Sequence, residues 1–312
     1  MKKTVISSKM PIDEVLRIEK NSIETKGATK RISIVTGTHG DELDGQYVCF
    51  LISKILKEQP QNLLANVDIY PALNPLGVDS ITRGIPNFDL DMNRIFPGDP
   101  NSSLAESLAY AIVEDLKGSS VVIDIHSSNI FLREAPQARI NVNAVDELLP
   151  IAEQLNIEFI WIHDAATVLE ATLAHTLNSC GTPTVVVEMG VGMRLVRNYC
   201  ESLVAGIFNM MKNMGLWKGE IPYLAGDIKT PEISTNGEVE FFNAKASGVF
   251  VTSIDHSVYV EAGDEIGKIV DPLSGDILQV VTANYAGFLF TLRVYPIVYE
   301  GSLLARLYRK NS

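Results

Sequence analysis

Cysteine is scarce in this 312-residue chain: Cys49, Cys180 and Cys200 are the only three, an odd number at irregular spacing. That pattern excludes a disulfide framework and a Cys-rich zinc module, and leaves reduced core thiols as the expectation. Positive charge is short as well, with 26 Lys and Arg against 38 Asp and Glu and a formal net charge of -12. Without a basic run the chain lacks what binding to phosphate backbones requires, so nucleic acid is excluded as a partner. Net charge governs solubility and long-range steering, and a locally positive pocket remains compatible with it. Long apolar runs are missing too. No stretch approaches the ~20 residues of a membrane span, and the N-terminal lysines lead into Met10, Pro11, Asp13 and Glu14 rather than an apolar signal segment. The expectation is a cytoplasmic protein with no membrane partner.

What is present is an ordinary folded composition, 46% hydrophobic and 21% charged, away from the disordered class. Single cores stop growing near ~250 to 300 residues, which favours two domains. Through roughly the first 215 residues, β-branched runs alternate with helical periodicity, the pattern of an α/β domain with a largely parallel sheet. Strands are expected at Ile32 to Val35, Val67 to Tyr70, Val121 to Ile125 and Thr184 to Val187. Helices are expected at Leu43 to Leu56, Leu104 to Leu116, Asp146 to Leu155 and Val196 to Met214, the last stopped at Gly215. From about Trp217 the chain turns to short strands punctuated by Gly, Pro, Asn and Asp, with Pro222 to Asn236 as the crossing. The expected division is a catalytic domain over residues 1–218 and an all-β domain over 219–312 that resembles the barrel-sandwich fold of lipoyl and biotinyl domains. Lys245 and Lys268 do not fall in the hairpin where such domains present a modifiable lysine, which excludes a carrier role.

Four segments carry chemistry. After the first strand, Thr36-Gly-Thr-His39-Gly-Asp-Glu42 places an imidazole and a carboxylate three residues apart in a Gly-rich loop entering a helix, a spacing that lets both converge on one ion. Alone, it fits equally a polar turn with a capping Asp. Val121-Val-Ile-Asp124-Ile-His126 is an apolar strand ending in a histidine, a third ligand of the kind a catalytic zinc site needs, with Asp124 on the same face to orient it. Alone, that histidine fits a satisfied core residue. Thr184-Val-Val-Val-Glu188 ends a third strand with one carboxylate, suited to taking a proton from water and passing it to a leaving amine. It also fits a structural glutamate paired with Arg194 or Arg197. The long segment from Asn74 through Arg83 to Asp91-Met-Asn93-Arg94 offers a fork for a carboxylate and a cation for an oxyanion, or is a solvated connector.

In this order the segments resemble the succinylglutamate desuccinylase and aspartoacylase branch of the zinc carboxypeptidase superfamily, over most of the chain. The resemblance implies a zinc-carboxypeptidase-like mixed, largely parallel sheet flanked by helices, plus the small β-rich C-terminal domain. It implies one Zn2+ per chain held by His39, Glu42 and His126, with Glu188 as the base. It further implies that Arg83 polarises the scissile carbonyl while Asn93 and Arg94 grip a substrate carboxylate. The substrate class would be a small N-acyl amino acid, cleaved as a non-peptide amide. True carboxypeptidases carry a tyrosine ahead of the catalytic glutamate, yet no Tyr lies between Tyr110 and Tyr199. In the deacylase branch the C-terminal domain can supply one, and Tyr285 is the candidate. Arg133 and Arg194 either favour a second acidic group on the substrate or are surface charges. Two other readings stay open: a metallocarboxypeptidase acting on peptides or cell-wall fragments, and a non-catalytic zinc-scaffold binding protein. The sequence leaves open whether the chain forms a homo-oligomer.

Overall fold

The computed structural model describes residues 1–164, 170–234 and 238–309. The first half runs β1 (Lys2–Lys9), β2 (Val15–Ile23), β3 (Arg31–Thr36), α1 (Asp44–Glu58), β4 (Asn66–Tyr70), α2 (Pro75–Ser80), α3 (Leu104–Leu116), β5 (Val121–Ser127) and β6 (Leu132–Asn141). Then come α4 (Val145–Ala152), β7 (Phe159–His163), α5 (Leu173–Ser179), β8 (Thr184–Gly190) and α6 (Arg197–Asn213). The remainder is all strand: β9 (Glu232–Ser234), β10 (Val239–Asn243), β11 (Gly248–Thr252), β12 (Val258–Val260), β13 (Glu265–Val270), β14 (Ile277–Thr282), β15 (Gly287–Arg293), β16 (Ile297–Val298) and β17 (Leu303–Arg309).

A 13-stranded mixed sheet in the order β1-β2-β4-β3-β5-β8-β6-β15-β17-β10 is the backbone of the molecule, with β12, β7 and β9 attached off this path. Its centre is parallel, β4 with β3, β3 with β5 and β5 with β8. Both faces there are covered, so β5 is buried at all seven positions, the near-continuous apolar strand of an α/β sheet. One face, carrying Ile34, Ile123, Ile125 and Val187, packs on α1 and α6 through Ile52, Ile55, Leu203 and Ile207. The other, carrying Val35, Tyr70 and Val122, packs on α3 and α5 through Leu108, Ile112, Leu173 and Leu177.

On that second face the apolar row gives way at the carboxyl ends of the strands. Val122 is followed two and four residues later by Asp124 and His126, and Glu188 is the cross-strand partner of His126. Side chains two apart on a strand share a face, so the polar residues form one patch where α3 and α5 leave the sheet. On the opposite face Ser127 donates to Asp44 Oδ2 at 2.9 Å, and the Val196 amide donates to Asp44 Oδ1 at 2.7 Å. Asp44 thereby ties the first turn of α1 to the end of β5 and to the entry of α6.

The expected strands and helices are present, with ends that coincide or shift by at most three residues, and Leu104–Leu116 is matched at both ends. Gly215 does follow α6 with a φ of +71°, where a side chain would be strained. The hairpin β1–β2, and β6, β7 and α5, are additions. Their short or evenly mixed segments carry no long period. The crossing at Pro222 to Asn236 holds the short strand β9, paired with β7, while residues 235 and 236 lie outside the described residues. The C-terminal strands have their own apolar core of Phe242, Phe250, Ile266, Leu289, Leu304 and Leu307, between the extended sheet and a second sheet in the order β14-β13-β11-β16. Yet β15 pairs antiparallel with β6, so the two halves share one sheet. Of the three thiols, Cys49 and Cys200 are buried as expected; Cys180 is exposed, at the end of α5.

Helix α6 passes so close to the segment after α4 that a Cβ on Gly206 would lie 1.9 Å from the Leu155 carbonyl oxygen. Gly206→Ala is therefore expected to destabilise the fold by about 1 to 3 kcal/mol through overpacking. Urea unfolding checks it, and an unchanged midpoint would contradict this packing.

Candidate metal centre

His39 and Glu42 sit in the loop between β3 and α1, at the carboxyl end of a central parallel strand where such sheets place ligands. The loop is pressed against α2: a Cβ on Gly40 would meet the Gly77 backbone at 1.9 Å, so only glycine permits the approach. The Gly40 amide donates to the Thr82 carbonyl at 3.0 Å, which fastens the loop to the segment carrying Arg83.

The three expected ligands meet. His39 Nδ1 lies 2.7 Å from Glu42 Oε1, His126 Nδ1 lies 3.0 Å from Glu42 Oε2, and the two Nδ1 atoms are 3.3 Å apart. Each residue is 3% exposed, so these groups were taken from water to face one another. Two imidazoles and a carboxylate form a donor set used by catalytic zinc, whose tetrahedral ligands at ~2.0 to 2.2 Å stand roughly 3.3 to 3.5 Å from each other. The observed 2.7, 3.0 and 3.3 Å lie at or below that spacing, so the three groups converge on one point and need to part by only a few tenths of an ångström to take a single divalent ion.

The far side of each ring reinforces the fit. His39 Nε2 is 3.0 Å from Asp91 Oδ1, and His126 Nε2 is 3.3 Å from Asp124 Oδ1. A carboxylate behind a ligating histidine sets its tautomer and turns the other nitrogen toward the ion. Asp124 stands behind His126 as its place two residues earlier suggested, but at ion-pair distance only, since neither of its oxygens nor His126 Nε2 makes a hydrogen bond among the described residues. Asp91 is the partner that the sequence did not assign, although it stands in the quoted Asp91-Met-Asn93-Arg94 segment. Its Oδ1 also accepts from the Asn93 amide at 2.9 Å, so one carboxylate orients His39 and shapes the next turn.

Electrostatics follow from this crowding. Burial works against ionising Glu42, but the charges and hydrogen bonds of His126 and His39 overcome it and hold the carboxyl down at about 2. Burial likewise opposes protonation of both histidines. Asp124 and Glu42 nevertheless carry His126 well above the usual imidazole range, and Asp91 and Glu42 raise His39. A metal must displace those protons.

The remaining expected residues divide. Arg83 reaches the centre: Nη1 is 3.0 Å from Glu42 Oε1 and Nε is 3.4 Å from Asp91 Oδ2, while the side chain stays 42% exposed. Glu188 comes from β8 beside His126, and its Oε1 lies 3.3 Å from Arg139 Nη1 rather than against Arg194 or Arg197. Burial pushes its carboxyl above the ordinary glutamate range, against the charge of Arg139 and with added repulsion from Glu134. Asn93 spends its Oδ1 on the Leu173 amide at 2.9 Å, holding the start of α5. Arg94 is exposed and donates to the Asn93 carbonyl at 2.7 Å. Tyr285 is not gathered in: it is 47% exposed and its ring lies 4.9 Å from the Arg309 guanidinium. It stands at the far end of β15 from the residues that pair with β6. Arg133 lies 3.9 Å from Asp255, and Arg194 donates to the Met193 carbonyl. Arg139, unassigned by the sequence, stands in an evenly mixed strand whose pattern does not mark it.

Asp91→Ala is expected to weaken Zn2+ binding by about 10- to 100-fold, the usual cost of removing a carboxylate behind a ligating histidine. In the parent, affinity is expected to fall as pH drops, because both histidines must be neutral to ligate and their raised pKa values extend proton competition upward. Competition titration with a chelator checks both; an Asp91→Ala protein that binds zinc like the parent would remove Asp91 from the centre.

Among curated proteins, this chain is 30% identical over 122 residues to the N-alpha-acetyl-L-2,4-diaminobutyric acid deacetylase of Halomonas elongata, covering 39% of this chain and 35% of that protein. It is 36% identical over 93 residues to the aspartoacylase of Mus musculus, covering 29% and 28%. The matched stretch thus spans about a third of the length of these relatives. Among solved structures, a succinylglutamate desuccinylase/aspartoacylase from Rhodobacter sphaeroides superposes with a TM-score of 0.82 at 19% identity, covering 100% of this chain and 96% of that one. The product-bound ectoine utilization protein EutE (DoeB) from Ruegeria pomeroyi does so with a TM-score of 0.79 at 19% identity, covering 98% and 93%. At such identities the likeness is one of fold. Residues 28–214, more than half of the chain, match the family model of the succinylglutamate desuccinylase/aspartoacylase catalytic domain, and the chain belongs to that family.

Proposed function

We propose that the protein is a zinc-dependent amide hydrolase that removes the acyl group from a small N-acyl amino acid, yielding a carboxylate and a free amine. The observation that carries this reading is the pair of imidazoles turned inward on Glu42, each backed by a carboxylate, with a separate carboxylate, Glu188, on the strand beside His126. The Halomonas relative is named as a deacetylase of an N-acetylated amino acid, which agrees with that substrate class.

His39, Glu42 and His126 would hold the ion. A bound Zn2+ supplies Lewis acidity and makes water nucleophilic near neutral pH. Glu188 takes a proton from the attacking water and delivers it to the departing nitrogen. Its carboxyl, raised by burial, is suited to both transfers. Arg83 has its guanidinium at the rim of the centre and offers positive charge to the oxygen that becomes anionic as the carbonyl is attacked. Asn93 Nδ2 and the exposed Arg94 side chain are the donors for a substrate carboxylate. Holding that group would fix the amide relative to Glu188. Tyr285 has no part in this scheme.

With a panel of N-acyl amino acids, amine release is expected from zinc-loaded parent protein and not from His39→Ala, which loses the metal. Glu188→Gln is expected to retain one zinc per chain while kcat falls on the order of 100- to 10,000-fold. The parent rate rises with pH as Glu188 ionises, along a limb displaced above the ordinary glutamate range. A Glu188→Gln protein that turns over like the parent would sink the assignment of the base.

A further inference from the structure

Among the described residues, Glu188 is held from one side. Its direct cross-strand neighbour on β6 is Gln137, fully buried, whose side-chain amide makes no hydrogen bond. The side chain that does reach Glu188 is Arg139, through Nη1 at 3.3 Å. Arg139 is itself clamped: Nη2 lies 3.1 and 2.9 Å from the two oxygens of Glu134, and its guanidinium lies 5.7 Å from the Trp161 ring.

Glu134 is 1% exposed and needs compensation for its buried charge. It receives that from a second arginine on the C-terminal strands. Arg306 of β17 places Nη1 2.6 Å from Glu134 Oε1, and its guanidinium lies 5.4 Å from the same Trp161 ring and 5.6 Å from Phe241 of β10. Thr291 of β15, paired with Glu134 across the strands, approaches the same oxygen at 3.5 Å. The order is therefore Arg306, Glu134, Arg139, Glu188, with Trp161 against both guanidinium groups.

We infer that Arg139 is the positioning residue for Glu188 and that Arg306, supplied by the C-terminal strands, fixes Arg139 through Glu134. The C-terminal region is thereby a working part of the catalytic site and not only a covering for it. The physical reason is competition. One guanidinium faces two carboxylates, and a second arginine that satisfies Glu134 leaves Nη1 of Arg139 aimed at Glu188. Without Arg306, Glu134 draws Arg139 toward itself and Glu188 loses that partner.

This inference rests on the proposed role of Glu188, and its test is built so that the two fail separately. Arg139→Met, Arg306→Met and the double variant are assayed as zinc-loaded proteins, with Arg306→Lys as a milder change should the methionine variants fold poorly. Misplacement by ~1 Å costs on the order of 100-fold in rate, so each single methionine variant is expected to lose about 10- to 100-fold in kcat with KM within about two-fold and zinc retained. The double variant is expected to be no slower than Arg139→Met alone, because both changes act through one contact. Arg306→Lys should restore part of the loss. In crystals of metal-free Arg306→Met, the Glu188 carboxylate is expected to have left Arg139 Nη1. Independent, multiplying losses in the double variant, or a Glu188 unmoved in those crystals, would overturn the inference. A parent that hydrolyses no amide would defeat the proposed function, and the crystals would still decide the positioning.

Discussion

Everything at the site depends on one buried carboxylate. Glu42 accepts from Arg83 Nη1 at 3.0 Å and the Ser127 amide at 3.1 Å, and it faces His39 Nδ1 at 2.7 Å and His126 Nδ1 at 3.0 Å. A charge that far from water is costly unless paired and hydrogen-bonded. The loop after β3, the end of β5 and the long segment after β4 must therefore close on it together. The same residue that would complete a metal's ligand set is the one that assembles the three segments.

The rest of the fold holds that closure in place. Asp44, two residues beyond Glu42, binds Ser127 and the Val196 amide, so α1, β5 and α6 are locked behind the centre. Gly40 allows the loop to lie against Gly77, and Asp91 joins His39 to the turn bearing Asn93 and Arg94. Each tie is short and local. The positions of His39, Glu42 and His126 are set by backbone that is itself buried between sheet and helices, the usual way a precise site is made rigid.

A second charged cluster extends from Glu188 into the C-terminal strands. Glu134 pairs with Arg139 on β6 and with Arg306 on β17, with Trp161 against both guanidinium groups. Because β15 pairs with β6, these strands belong to the same sheet as β5 and β8. Ion pairs run from Glu188 through Arg139 and Glu134 to Arg306, and Glu188 is itself the cross-strand neighbour of His126.

The amino-acid sequence by itself determined the central strands, the long helices and the residues that converge. Those features are written in local periodicity and in short motifs such as His39-x-x-Glu42 and Asp124-x-His126. It also marked Arg83 and the Asp91 segment, because charged residues in a long connecting loop stand out. Only the tertiary structure decided that Asp91 backs His39, that Asn93 holds α5, that Arg139 rather than Arg194 or Arg197 faces Glu188, and that Tyr285 turns toward Arg309. It alone joined β15 to β6. The physical reason is range: periodicity and spacing act over a few residues, whereas these partners lie tens to hundreds of residues apart. They are chosen by which buried charges the closed sheet leaves to be satisfied.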